Sequence, residues 1–298
     1  MTRTVFGAAA LVLATSLCVT VAAQRSFHAE TRLVVLNVTV TNRHGELVGD
    51  LDRDAFSVYE NGRPQPISVF RRDDVPTSLG VIIDNSGSMR SLRAGVEEAA
   101  LAFVRASNPD DDVFVMNFAD KARVDVPFTN DIHVLEDGIA RVDSIGGTAM
   151  RDAIVSAESY LREHGSHDRR ALLLITDGGD NASQVSRAQL RKVIEHTGAA
   201  VFAVSLARED ESSPSRKDRV ELDDLTELTG GECFTASIHD VDRVVLDIAH
   251  RIRQQYTIAY TPANQALDGS YRNVRVKMVK PSGLTARSRS GYWATPVP

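Results

Sequence analysis

Cysteine is almost missing. The 298 residues hold two, Cys18 and Cys233. Cys18 lies in an apolar leader, so once the leader is removed Cys233 stands alone and no intramolecular disulfide can form. Gly230-Gly231-Glu232-Cys233-Phe234-Thr235 reads as a short buried strand, where a lone thiol acts as a small core hydrophobe. No partnering base is at hand for a nucleophile. An excess of one charge is missing too: the formal net charge is −6, with acids and bases interspersed, which argues against nucleic acid as a partner. Hydrolase signatures are also absent. There is no Gly-x-Ser-x-Gly elbow and no His-Glu-x-x-His, and His164 and His167 have no third ligand to make a zinc site. An aspartyl-nucleophile phosphatase would need a second aspartate two residues after Asp84; Ser86 stands there. No enzyme is expected.

What is there begins with a leader. Arg3 supplies a positive start, Val5 to Ala22 is uncharged and rich in small residues, and Val21-Ala22-Ala23 fits a cleavage site before Gln24. Residues 1–23 are expected to be a signal peptide, which makes the protein exported, periplasmic or secreted, with no membrane insertion after cleavage. The alternative is an uncleaved anchor, since the run is close to the lower limit for spanning a bilayer.

The chain is organised around Leu79 to Arg90. An apolar run, Val81-Ile82-Ile83, ends on Asp84 and is followed by Ser86 and Ser88 around Gly87. That pattern predicts a buried strand handing over to a helix, the place where parallel sheets hold their ligands. One carboxylate with two hydroxyls is a hard-oxygen set, suited to Mg²⁺, Mn²⁺ or Ca²⁺ rather than zinc. A metal with so few anionic ligands stays cationic and available to a carboxylate from another molecule. Two later segments strengthen the signal. Gly146-Gly147-Thr148-Ala149-Met150 puts a hydroxyl just ahead of a helix, and Leu172-Leu173-Leu174-Ile175-Thr176-Asp177-Gly178-Gly179 is a second buried strand ending on an aspartate.

Asp84-x-Ser86-x-Ser88, then Thr148, then Asp177 resembles the metal-ion-dependent adhesion site of the von Willebrand factor type A domain family, over roughly residues 78 to 254. Asn85 stands where the family often has threonine, at a position that is not a ligand. The resemblance implies that Ser86, Ser88 and Thr148 bind Mg²⁺ through hydroxyls, that Asp84 and Asp177 hold it directly or through water, and that an unknown protein partner supplies an acidic side chain. The function implied is non-enzymatic protein binding, as adhesion or scaffold. The alternatives are a metal with a structural role in an envelope scaffold, or a metal-dependent phosphoryl hydrolase.

From 78 to 254 strand and helix patterns alternate, predicting an α/β fold: a doubly wound, mainly parallel, Rossmann-like sheet. Strands are expected at Asp112–Phe118, Arg123–Val126, Ala171–Thr176 and Ala200–Leu206. Helices are expected after Ser91 and near 131–142, 151–162, 187–196, 222–228 and 240–254. The polar loop 208–219 is expected at the rim or simply in solvent. Asp110-Asp111-Asp112 reads as a turn before a strand, with a second cation site as the alternative, and Asp180 and Asn181 either orient the metal aspartate or start a helix.

The flanks read as β. Val34, Leu36, Val38 and Val40 alternate with more polar neighbours, and Arg43-His44-Gly45-Glu46 is a turn. Phe56–Glu60 and Ile67–Phe70 flank Asn61-Gly62, a hairpin signal, with Pro64 and Pro66 pushing the second strand to an edge. Residues 255–298 supply Tyr256–Tyr260, Tyr271–Val279 and Leu284–Ser288. Neither flank closes a core alone, so 27–76 and 255–298 are expected to form one small antiparallel β-sandwich, with the 78–254 domain inserted between them. Asp54 to Gly62, Ser270 to Lys277 and Gly291-Tyr292-Trp293 resemble parts of a bacterial exported family with this arrangement.

Overall fold

The computed structural model describes residues 33–139, 145–207 and 216–296, with residues 216 and 217 described by backbone alone. The expected leader, the end of the 131–142 helix and most of the 208–219 loop lie outside the described residues.

In chain order, β1 (Val34–Thr41), β2 (Phe56–Glu60), β3 (Arg63–Gln65), β4 (Ile67–Arg71) and β5 (Thr77–Asp84) precede α1 (Arg93–Ala106). Then come β6 (Asp112–Phe118), β7 (Ala122–Thr129), α2 (Ile132–Ile139), α3 (Met150–His164), β8 (Arg169–Thr176) and α4 (Arg187–His196). β9 (Ala200–Leu206), α5 (Arg216–Thr229), β10 (Cys233–Ala236) and α6 (Val241–Arg253) complete the middle. The last flank adds β11 (Tyr256–Tyr260), β12 (Tyr271–Met278), β13 (Thr285–Arg287) and β14 (Gly291–Trp293).

The central sheet runs β10-β9-β8-β5-β6-β7, parallel except for β7, which pairs antiparallel with β6. β5 lies inside it and is buried at every position, as a parallel strand covered on both faces must be. Its alternate residues feed two cores. Leu79, Val81 and Ile83 pack with apolar residues of α1, α2 and α6, whereas Ile82 packs with those of α3, α4 and α5. Gly80 is needed on the second face: a Cβ there would lie 2.5 Å from the Phe114 ring and 2.6 Å from Leu172.

The flanks build two four-stranded sheets, β13-β1-β11-β4 and β14-β12-β2-β3, antiparallel at every pairing. Each mixes strands from both ends of the chain. A third apolar core lies between them, with Leu36, Val38, Phe56, Val58, Tyr256, Ile258, Tyr260, Val274 and Tyr292. The fold is therefore α/β, a doubly wound and mainly parallel sheet accompanied by an antiparallel β-sandwich drawn from both flanks.

Two elements differ from the sequence reading. Asn61 and Gly62 do make the hairpin turn, with φ of 47° and 79°. The strand they return is β3, however, not Ile67–Phe70. Pro66 has no N–H to continue the ladder, and the chain crosses there to β4 in the other sheet. α5 begins at Arg216 rather than near Leu222, because its first turns are charged and carry little apolar period. The Cys233 strand, β10, is the half-buried edge of the central sheet, and burial pushes the thiol up to about 12, which leaves it unreactive.

Candidate metal centre

β5 delivers Asp84 to the carboxyl end of the sheet. The chain continues through Asn85 and Ser86 into a tight turn, Gly87–Ser91, ahead of α1. The Ser86 N–H donates to Asp84 Oδ1 at 2.8 Å, and the Thr176 hydroxyl, arriving on β8, donates to Asp84 Oδ2 at 2.7 Å. Ser86 Oγ and Ser88 Oγ are 3.0 Å apart, and Ser88 Oγ donates to Asp177 Oδ1 at 3.0 Å. Four of the five expected ligands thus form one hydrogen-bonded set. Asp84, Ser86 and Asp177 are buried, while Ser88 and Gly87 are exposed. The carboxylates form a floor that opens to solvent at Ser88.

Burial pushes the Asp84 carboxyl up to about 6; the Thr176 and Ser86 hydrogen bonds oppose this, and the Asp177 charge adds to it. Two neighbouring acids with one held back from ionising form a site that a divalent cation would relieve.

Thr148 reaches this end of the sheet by a different route. Gly146 adopts φ of 104°, the left-handed region that glycine enters without strain. Its carbonyl accepts from the Gly87 N–H at 3.0 Å, and the Ile145 N–H donates to the Asn85 carbonyl at 3.1 Å. Both bonds tie the Thr148 loop to the serine turn. On its other side the Thr148 N–H donates to Asn181 Oδ1 at 2.8 Å, and its carbonyl accepts from the Asn181 and Ala182 N–H groups. Thr148 is buried, and its hydroxyl bonds to no described residue.

Three residues that carry this arrangement, Thr176, Asp120 and Glu221, were not singled out from the sequence, whereas Asp180 and Asn181 were. Thr176 holds Asp84. Asp120 accepts the Gly147 N–H at 2.8 Å. Asp180 Oδ2 accepts the Arg151 N–H at 2.8 Å, and Arg151 reaches Glu221 Oε1 on α5 at 2.6 Å. Asp180 and Asn181 therefore brace the loop after Asp177 against the Thr148 loop. They do not start a helix, because α4 begins only at Arg187, behind a Ser186 cap. The Asp110–Asp112 segment is a turn: Asp111 accepts the Thr77 and Asn108 N–H groups at 2.7 and 2.9 Å. His164 stacks on Tyr160, away from any ligand set.

The fold is that of a von Willebrand-type α/β domain. Residues 79–179 match the family model of the von Willebrand factor type A domain, and the chain carries such a domain. Among solved structures, it is similar to a von Willebrand factor type A protein from Catenulispora acidiphila, with 13% identity and a TM-score of 0.53, over 90% of this chain and 74% of that one. It is also similar to proximal thread matrix protein 1 from the mussel byssus with a zinc-occupied MIDAS motif, with 16% identity and a TM-score of 0.51. That match covers 65% of this chain and 50% of the mussel protein. At these identities the likeness is one of fold. No curated protein matches the chain by sequence. Among the described residues no helix is long and apolar enough to cross a membrane.

Proposed function

We propose that this is an exported, non-enzymatic binding module that holds one divalent cation through Asp84, Ser86, Ser88, Thr148 and Asp177 and uses it to capture an acidic side chain of a partner protein. The observation that carries the reading is the hydroxyl–carboxylate set at the end of β5 and β8. In an octahedral shell about 2.0–2.1 Å from Mg²⁺, adjacent oxygens lie about 3 Å apart. The Ser86–Ser88 and Ser88–Asp177 oxygen pairs are already spaced at 3.0 Å. All the donors are hard oxygens, so Mg²⁺ suits the site, with Mn²⁺ or Ca²⁺ as substitutes.

The chain's own residues divide the work. Ser86, Ser88 and Thr148 would bind the metal through hydroxyls, and Asp84 and Asp177 would hold it directly or through water. Thr176 and the Ser86 N–H keep Asp84 oriented, while Asn181 and Asp120 fix the Thr148 loop. With so few anionic ligands the ion would stay electrophilic, so an incoming carboxylate would complete its shell at the exposed Ser88 side. The leader of residues 1–23 supports export, and the mussel protein with a metal in the same type of motif supports metal binding.

The experiment is a pull-down from the source cell's envelope with the leaderless chain as bait, in Mg²⁺ and again in chelator, beside the Asp84→Ala variant. A partner retained only by wild type in Mg²⁺ is the expected result. Retention that ignores both chelator and the substitution overturns the reading.

A further inference from the structure

Away from the metal centre, the outer face of the β2–β12 sheet forms one wall of a groove of about 900 Å³, closed on the far side by the end of α5 and by β13. Val274 and Val276 turn into the sandwich core, so the alternation of β12 places Asn273, Arg275 and Lys277 in a row on the outside. Arg275 is exposed and has no hydrogen-bond or ion-pair partner among the described residues. Lys277 lies over the Tyr59 ring at 4.8 Å and makes no ion pair among the described residues. Arg287 joins them from β13, with Glu232 at 3.4 Å. Against these three cations the groove lining includes a single carboxylate, Glu227.

The backbone adds a second feature. β13 pairs with β1 through Thr39–Arg287, Val40–Ala286 and Thr41–Thr285. The Val40 carbonyl is taken by the Val48 N–H, on the side of β1 away from β13. By antiparallel alternation, Thr285 and Arg287 turn their backbone groups to β1 and Ala286 turns its N–H and C=O outward, along the groove. β13 is an edge strand of its sheet, and an unpaired edge invites a further strand.

We propose that this groove is a second docking surface, for an extended acidic peptide segment of a partner, with carboxylates at alternate residues. Residues two apart on a strand are spaced about 6.8 Å, so Arg275 and Lys277 present cations at the repeat with which an extended chain presents side chains on one face. The outward N–H and C=O of Ala286 can pair with a peptide backbone. An acidic polysaccharide shares the charge but has no backbone amides to pair there. The surface is independent of the cation at Asp84.

The test is fluorescence anisotropy of a labelled seven-residue peptide with Glu at alternate positions, titrated with the whole chain in chelator so that the metal centre is silent. The controls are the Gln version of the peptide and a uronate oligosaccharide as competitor. Wild type and Asp84→Ala are expected to bind the Glu peptide equally, with affinity falling as salt rises. The double variant Arg275→Glu/Lys277→Glu is expected to bind at least about tenfold more weakly, since one exposed charge pair accounts for up to roughly fivefold. Both side chains are exposed, so the variant keeps its fold, which its melting temperature checks; Arg275→Gln/Lys277→Gln should fall between. Binding of the Gln peptide as tightly as the Glu peptide, no loss in the double variant, no binding at millimolar chain, or displacement by the uronate at lower concentration than by peptide would each overturn the proposal.

Discussion

At the scale of single residues the balance turns on Asp84. Its folded carboxyl titrates near 6 against an ordinary 3.8, so the metal-free fold holds that proton more tightly than the unfolded chain does. The stability this contributes is present below about 3.8 and is lost as pH rises through about 6. The gap corresponds to roughly 3 kcal/mol of stability, as an order of magnitude. Asp84→Asn should therefore melt higher than wild type at pH 7.5 in chelator, and the order should reverse in saturating Mg²⁺, which the variant cannot hold. Differential scanning calorimetry at pH 5 and 7.5, with and without Mg²⁺, checks both signs; a wild-type Mg²⁺ shift larger at pH 5 would contradict them. Asn181→Ala removes the acceptor of the Thr148 N–H and is expected to weaken cation affinity by about tenfold or more, by analogy with outer partners of metal ligands, with little change in metal-free melting. The five proposed ligand positions stand out in the sequence because each sits at the end of an apolar run or beside glycines, in short motifs. Thr176, Asp120 and Glu221 do not, because their partners lie about 30 to 90 positions away and nothing local marks them.

Elements were legible where period and boundary agreed. β6, β9 and α4 fall where the succession of strand and helix patterns put them, and the buried runs of β5 and β8 left no other reading. The β3–β4 break escaped because a proline marks an edge without saying which sheet the chain joins next. α5 escaped at its start because helical charge patterns resemble loops until packing is known. Packing also sets the limits on substitution. A Cβ on Gly231 would sit 1.9 Å from the Val201 carbonyl oxygen, backbone against backbone, with no flexible side chain to yield. Gly231→Ala is expected to destabilise the chain by roughly 2–4 kcal/mol, read as a lower denaturation midpoint. An unchanged midpoint would mean that the approach of β10 to β9 is looser than described.

For the whole molecule the informative group is Glu60, buried in the sandwich core. Its Oε2 accepts from the Tyr260 and Tyr292 hydroxyls, both at 2.8 Å, so three strands, β2, β11 and β14, meet on one carboxylate across both flank sheets. Glu60→Leu removes the acceptor that two buried hydroxyls share and is expected to cost roughly 2–4 kcal/mol, whereas Tyr292→Phe should cost about 1 kcal/mol. Because β11 lies between β1 and β4, and β12 between β14 and β2, truncation after Ile252 should leave the first flank protease-sensitive. Such an assembly from both ends sets the type A domain on a sandwich that carries its own cationic groove. The proposed function depends on a cation bound at the end of β5. The most direct measurement is isothermal titration of Mg²⁺ into the chelator-stripped chain, for wild type and for Ser86→Ala/Ser88→Ala. One site per chain in wild type, gone in the double variant while its fold persists, is the expected result; equal heats in both, or none in wild type, would contradict it.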